Sequence, residues 1–314
     1  MLLSPEVLAI IILNSIFFIF GLIALVLSIN IFTKWDINST TPAQYNLEKN
    51  SFLTSTIIKY IFIIKLPLFL FFIFTLDKIS GSITGAMCAA GIVDATPYGI
   101  YLLILKIINI YLFGSWLILH YLDSKYENLP FTKQKFAFFI VAFIFLSIEI
   151  SLEFLMFNSL NVDKIVSCCG TLFSTTSSSY ISNIFLIDKT ALLLLFYGSF
   201  FMMLLFNFLK NKYLFALTNF LFLIISILAL ISLFGTYIYE LPTHHCPFCF
   251  LQGDYNYIGY FIYTFLFIGT FFGLNTLIKN DKKYYKISLI SNLIFIIIAS
   301  YYPLSYYINN GVWL

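Results

Sequence analysis

Eight runs of about 20 mostly apolar residues dominate this chain, and that length matches the hydrocarbon thickness of a bilayer. They cover roughly 7–32, 57–76, 99–121, 136–157, 190–209, 214–239, 258–279 and 287–307. In lipid only a helix pairs all of its own backbone N–H and C=O groups. The runs therefore predict an all-α, polytopic membrane bundle of about eight transmembrane helices. Composition points the same way: of 314 residues, 61% are hydrophobic and 10% charged, with a mean hydropathy of +0.96. About a quarter of residues are charged in a soluble domain, so a soluble enzyme is excluded; the apolar content excludes disorder. The first run lacks a basic leader and a small-residue cleavage site, so it reads as a span rather than a signal peptide. A net charge of +3 is too small to indicate nucleic acid.

Lysine placement orients the bundle. All 17 basic residues are lysines. Eleven lie in or beside the loops 33–56, 122–135, 210–213 and 280–286, against three (Lys78, Lys164, Lys189) in the opposite loops. The first set is expected to be cytoplasmic, which puts both termini outside in a bacterial inner membrane. Cys88, Cys168, Cys169, Cys246 and Cys249 then all fall on the extracytoplasmic side, where disulfides persist and thiol exchange is productive.

The densest chemistry is in Leu241-Pro-Thr-His-His-Cys-Pro-Phe-Cys-Phe-Leu-Gln252. If Cys246 opens the seventh helix, unpaired N–H groups and the positive dipole end favour its thiolate, and a protonated His244 or His245 adds to that. A structural disulfide or half of a zinc site is the simpler alternative.

Cys246-Pro-Phe-Cys-Phe-Leu-Gln252, leading into a helix that runs inward, resembles the Cys-x-x-Cys-x-Leu-Gln entrance of DsbB-type quinone-linked thiol oxidases, to which vitamin K epoxide reductases are related in arrangement. The likeness covers this motif and one helix. It departs at Gly253, where that family carries arginine, and in the order of the second cysteine pair. The resemblance implies a thiol–disulfide oxidoreductase that exchanges electrons between an extracytoplasmic, thioredoxin-like partner and a membrane quinone. Cys246 would then be the nucleophile and Cys249 the resolving thiol, with Cys168 or Cys169 as relay, Cys88 as an auxiliary thiol and Gln252 beside the quinone.

An echo precedes it. Cys88-Ala-Ala-Gly91-Ile-Val-Asp94 is followed by Tyr98-Gly99-Ile100-Tyr101, much as the later motif is followed by Tyr257-Ile258-Gly259-Tyr260. A four-plus-four duplication would leave this trace, with residues 1–157 and 190–314 as the halves and 158–189 as a Ser-rich loop carrying Cys168-Cys169. Chance likeness between two junctions in a low-complexity chain is the alternative.

His244, His245, Cys246 and Cys249 are also soft ligands suited to copper or zinc, which makes a metal-handling membrane protein the second reading, with a metalloprotein as its partner. A permease or anchor subunit stapled by disulfides is a third. Haem is not expected, because no Cys-x-x-Cys-His exists and His120 stands alone in its helix. Within the spans, Lys106 and Glu149 lie at similar depth, and Glu153 sits one turn from Glu149. Buried charges need partners, so these three predict either a polar pocket for a quinone headgroup or a structural ion pair. Lys65, near mid-membrane, could belong to either.

Overall fold

The structure, a computed structural model, describes residues 3–36, 39, 41–86, 88–161 and 188–314. Cys168 and Cys169 lie outside the described residues. The chain is a polytopic helical membrane bundle. Its described elements are α1 (Pro5–Lys34), α2 (Pro42–Ser80), a short α3 (Ala89–Ala95), α4 (Gly99–Asp123), α5 (Thr132–Ser159), α6 (Lys189–Phe208), α7 (Lys212–Ala229), α8 (Gly235–Tyr239), α9 (Ile258–Leu274) and α10 (Lys282–Asn310). A π-helical turn, Leu230–Phe234, makes α7 and α8 one continuous rod. Seven of these helices, with α7–α8 counted as one, are long and apolar enough to cross a membrane. The eighth, α9, has 17 residues, which is still within the range that spans a bilayer.

Local sequence explains the ends. Pro5 and Pro42 sit in the first turns of α1 and α2, where a missing N–H costs nothing. Asp188, Asn211 and Asp281 accept from the first free N–H groups of α6, α7 and α10. Two expectations shift. The span expected at 57–76 is the apolar part of a 39-residue helix that begins at Pro42, because Thr41 caps a polar stretch that remains helical. The helix expected to reach 279 stops at Leu274. There the Asn275 side chain donates back to the Phe271 carbonyl (2.8 Å) and Thr276 to that of Gly273 (2.7 Å), which competes with continuation.

The chain divides into two compact units, Met1–Thr84 with Ile92–Val166, and Gly85–Gly91 with Ser167–Leu314. In the first, α1 packs on α2, α2 on α4, α4 on α5, and α5 returns to α1. In the second, α6, α7, α9 and α10 follow the same cyclic order. Both units bury polar groups and turn leucine, isoleucine and phenylalanine outward, as Leu194, Phe201 and Ile144 illustrate. That inversion suits lipid, in which an exposed apolar side chain costs nothing and an exposed amide is unsatisfied.

The second unit has a polar seam of its own. Asn219 on α7 accepts from Ser288 (2.9 Å) and Asn292 (3.1 Å) of α10, and donates to the Phe215 carbonyl (2.8 Å). Asn219→Ala leaves both α10 donors without their acceptor and should cost about 1–3 kcal/mol. Ser288→Ala, which removes one donor and strands nothing, should cost about 1 kcal/mol or less. Thermal unfolding of the two variants in detergent checks that order.

Candidate functional site

The second unit brings together three cysteines far apart in sequence. The sulfurs of Cys88, Cys246 and Cys249 all lie within 4.8 Å of one another, and Cys88 Sγ is 3.9 Å from Cys249 Sγ. Their residues are 1%, 1% and 8% exposed, so water is excluded from the cluster. Cys88 precedes α3, whose start its carbonyl supports by accepting from Gly91 N–H (3.0 Å). The other two lie in the connection from α8 to α9.

Tyrosines hold that connection by its backbone. The Tyr239 hydroxyl, at the end of α8, donates to the Cys246 carbonyl and accepts from Phe250 N–H (3.1 Å). Tyr263, on α9, donates to the Pro247 carbonyl (2.8 Å). Phe250 is fully buried and lies over Gly259, where an added Cβ would come within 2.5 Å of its ring and 2.9 Å of its carbonyl. Gly99 has the same relation to the chain ahead of α4, with the Val93 backbone against it. A glycine in the first turn of the following helix thus lets each cysteine-bearing segment fold back on that helix.

The structure corrects the expected placement of Cys246 at a helix N-terminus. Two 3₁₀ turns, Cys249–Leu251 and Gly253–Tyr255, follow the pair, and α9 begins only at Ile258. Asn256 and Tyr257, both left-handed (φ 53° and 55°), separate the turns from the helix. A helix dipole acts only within its first turn, so it does not reach Cys246. Nor does His245 supply a positive charge. Burial pushes its imidazole below the ordinary histidine value, and Nδ1 lies 3.0 Å from the Ile231 carbonyl in the π turn, where a neutral ring donates. The His244 ring stands edge-on to Tyr239 at 4.3 Å between centroids. Neither histidine joins the sulfur cluster among the described residues. Among the described residues, the group that could hold a soft ion is Cys88, Cys246 and Cys249.

The residues expected around a quinone belong to different units. Gln252 is in the second unit, where its carbonyl accepts from Tyr255 N–H (3.2 Å) and Tyr257 N–H (3.3 Å). Lys106, Glu149 and Glu153 are in the first unit, in a closed ion network. Lys106 Nζ contacts Glu149 Oε1 (2.9 Å) and Glu153 Oε2 (3.1 Å). Lys65 Nζ contacts the same Glu149 oxygen (3.0 Å) and Asn14 Oδ1 (2.8 Å). Asn14 donates to Glu153 Oε2 (2.7 Å), and Asn109 donates to Glu149 Oε2. Lys106 also faces the Phe72 ring at 4.3 Å. Two lysines and two glutamates cancel, and four helices (α1, α2, α4 and α5) are joined.

Sequence reading missed Asn14 and Asn109, as well as Tyr239 and Tyr263. The asparagines left a signal: each is an amide inside an apolar span, and Asn109 lies one turn from Lys106 on the same face. The tyrosines left none in a chain with 22 of them. Comparison with protein-family profiles, with curated proteins and with solved structures finds no match to this chain.

Glu149 is the hub, with both lysines on one oxygen. Glu149→Gln should destabilise the first unit by about 3–5 kcal/mol, the cost of stranding a buried charge. Lys65→Met in that background should recover most of the loss, because Glu153 still neutralises Lys106. Lys106→Met should recover less, since Lys65 then has only Asn14. Thermal unfolding of the three proteins gives the ranking.

Proposed function

We propose that this chain is a membrane thiol–disulfide oxidoreductase whose working thiols are Cys246, Cys249 and Cys88. The observation that carries the reading is the convergence of Cys88 on the Cys-x-x-Cys pair, 3.9 Å from Cys249. Three sulfurs at this spacing permit an internal exchange. Starting from a Cys246–Cys249 disulfide, the Cys88 thiolate attacks the sulfur of Cys249. A Cys88–Cys249 bond forms, the Cys246–Cys249 bond breaks, and Cys246 leaves as thiolate. No electrons are gained or lost in that step. Net oxidation removes two electrons and two protons from a thiol pair, and a membrane quinone is the acceptor that would leave as quinol. Burial protects the sulfurs from adventitious oxidation, so exchange with an extracytoplasmic, thioredoxin-like partner requires the segment 240–257 to open. The tyrosine grip on the carbonyls of Cys246 and Pro247 is what that opening would release.

A second reading has its own support. Three mutually adjacent, water-excluded sulfurs also match a soft-ion site, with copper(I) preferred by an all-thiolate set. The chain would then be a metal-handling protein that uses Cys88, Cys246 and Cys249 as ligands.

One experiment separates the two. In purified protein supplied with a short-chain quinone, the oxidoreductase reading expects thiol loss that depends on quinone, and Cys249→Ser, when a reduced thioredoxin-like protein is also added, should accumulate a disulfide between Cys246 and that protein. Stoichiometric copper(I) binding, lost in Cys88→Ser and unaccompanied by quinone-dependent oxidation, would overturn that reading in favour of the metal. The proposed orientation is checked separately, because the native cysteines are buried. In a cysteine-free background, Asp254→Cys should react with an impermeant maleimide on intact cells, and Lys125→Cys only after permeabilisation.

A further inference from the structure

The ion network of the first unit borders a cleft of about 410 Å³ lined by Ile11, Asn14, Ser15 and Phe18 of α1 and, from α5, by Ile150, Ser151 and Glu153 with the two residues that follow. That volume lies within the range of small-molecule sites. Its floor is Asn14 and Glu153, 3% and 2% exposed, while Ser15, Ser151 and Phe154 at the rim are exposed on the side that faces lipid.

Donors and acceptors in this lining are unevenly distributed. Ser15 gives its hydroxyl proton to the Ile11 carbonyl (2.8 Å), and Ser151 gives its own to that of Ser147 (2.9 Å). Glu153 Oε2 is fully engaged by Lys106 and Asn14, but its buried Oε1 accepts no hydrogen bond among the described residues. These three side chains therefore offer acceptor lone pairs, and a buried carboxylate oxygen without a donor is costly. A ligand that satisfies it must donate. It must also be neutral, because the two lysines and two glutamates already cancel, and any added charge would stand unpaired in low dielectric. Phe18, Ile11 and Ile150 leave the remainder of the cleft apolar.

We infer that the α1–α5 cleft binds the hydroxyl-bearing end of a neutral, membrane-soluble molecule, with Glu153 Oε1 as its acceptor. This class includes hydroquinones and lipid alcohols such as diacylglycerol. The inference stands on the first unit alone and is independent of the cysteine chemistry.

The test is equilibrium binding to the full chain in phosphatidylcholine nanodiscs. The probes are a short-chain hydroquinone kept reduced, its dimethyl ether and dioleoylglycerol. The hydroquinone should bind about tenfold or more tightly than the ether, which is similar in shape but cannot donate; that factor is what a hydrogen bond to a charged acceptor contributes. Ser151→Trp, a change at the lipid-facing rim that leaves the ion network intact, should abolish binding. Glu153→Gln should remove the preference for hydroquinone over ether; should that variant fail to fold, the Ser151→Trp result stands by itself. Competition by dioleoylglycerol assigns the cleft to a lipid alcohol, and lack of competition assigns it to an aromatic one. Equal binding of hydroquinone and ether, or binding that survives Ser151→Trp, would overturn the inference, as would no binding of either hydroxyl compound.

Discussion

A charge inside a bilayer must be met by an opposite charge on another helix, and the first unit is arranged around that demand. Lys65 and Lys106 reach across from α2 and α4 to Glu149 and Glu153 on α5, while Asn14 closes the circuit from α1. Apolar side chains cannot impose such order, because a leucine is as well solvated by lipid as by another leucine. Polar groups have no such alternative, so they fix which helices are neighbours and in what rotation. The second unit does the same with neutral groups, through Asn219, Ser288 and Asn292.

The cysteine cluster is built on a different principle. Neither His244 nor His245 joins it among the described residues, and α9 begins well after the Cys-x-x-Cys pair. Its geometry comes from a connection with two residues of left-handed backbone, two 3₁₀ turns and a glycine against which Phe250 can lie. Proximity is the resource the site offers. This agrees with exchange among neighbouring sulfurs and equally with a shared soft ion, both of which need three sulfurs together.

What the sequence disclosed follows from the range of the interactions involved. The spans were legible because a bilayer imposes a length and a polarity on each helix separately. The meeting of Lys106 with Glu149 was legible because depth can be counted along two helices at a fixed rise. The convergence of Cys88 on Cys249 was not, since it depends on how a segment after α2 lies in the other unit, and no local pattern encodes that. The helix-terminal placement of Cys246 failed for a local reason: the left-handed backbone at Asn256 and Tyr257 interrupts a stretch that hydropathy alone reads as entering a helix. Cys168 and Cys169 lie outside the described residues, so their proposed relay role rests on sequence alone.

Tyr239 and Tyr263 grip the cysteine segment through the carbonyls of Cys246 and Pro247 rather than through side chains. A clasp on backbone atoms does not depend on which side chains the clasped residues carry. The half-buried His244 can therefore change without loss of the clasp on the Cys246 and Pro247 carbonyls. The clasping residues have no such latitude. A phenylalanine at position 239 would keep the ring and its packing yet strip the Phe250 amide of its acceptor. Constraint here falls on two hydroxyls outside the Cys-x-x-Cys motif, at Tyr239 and Tyr263.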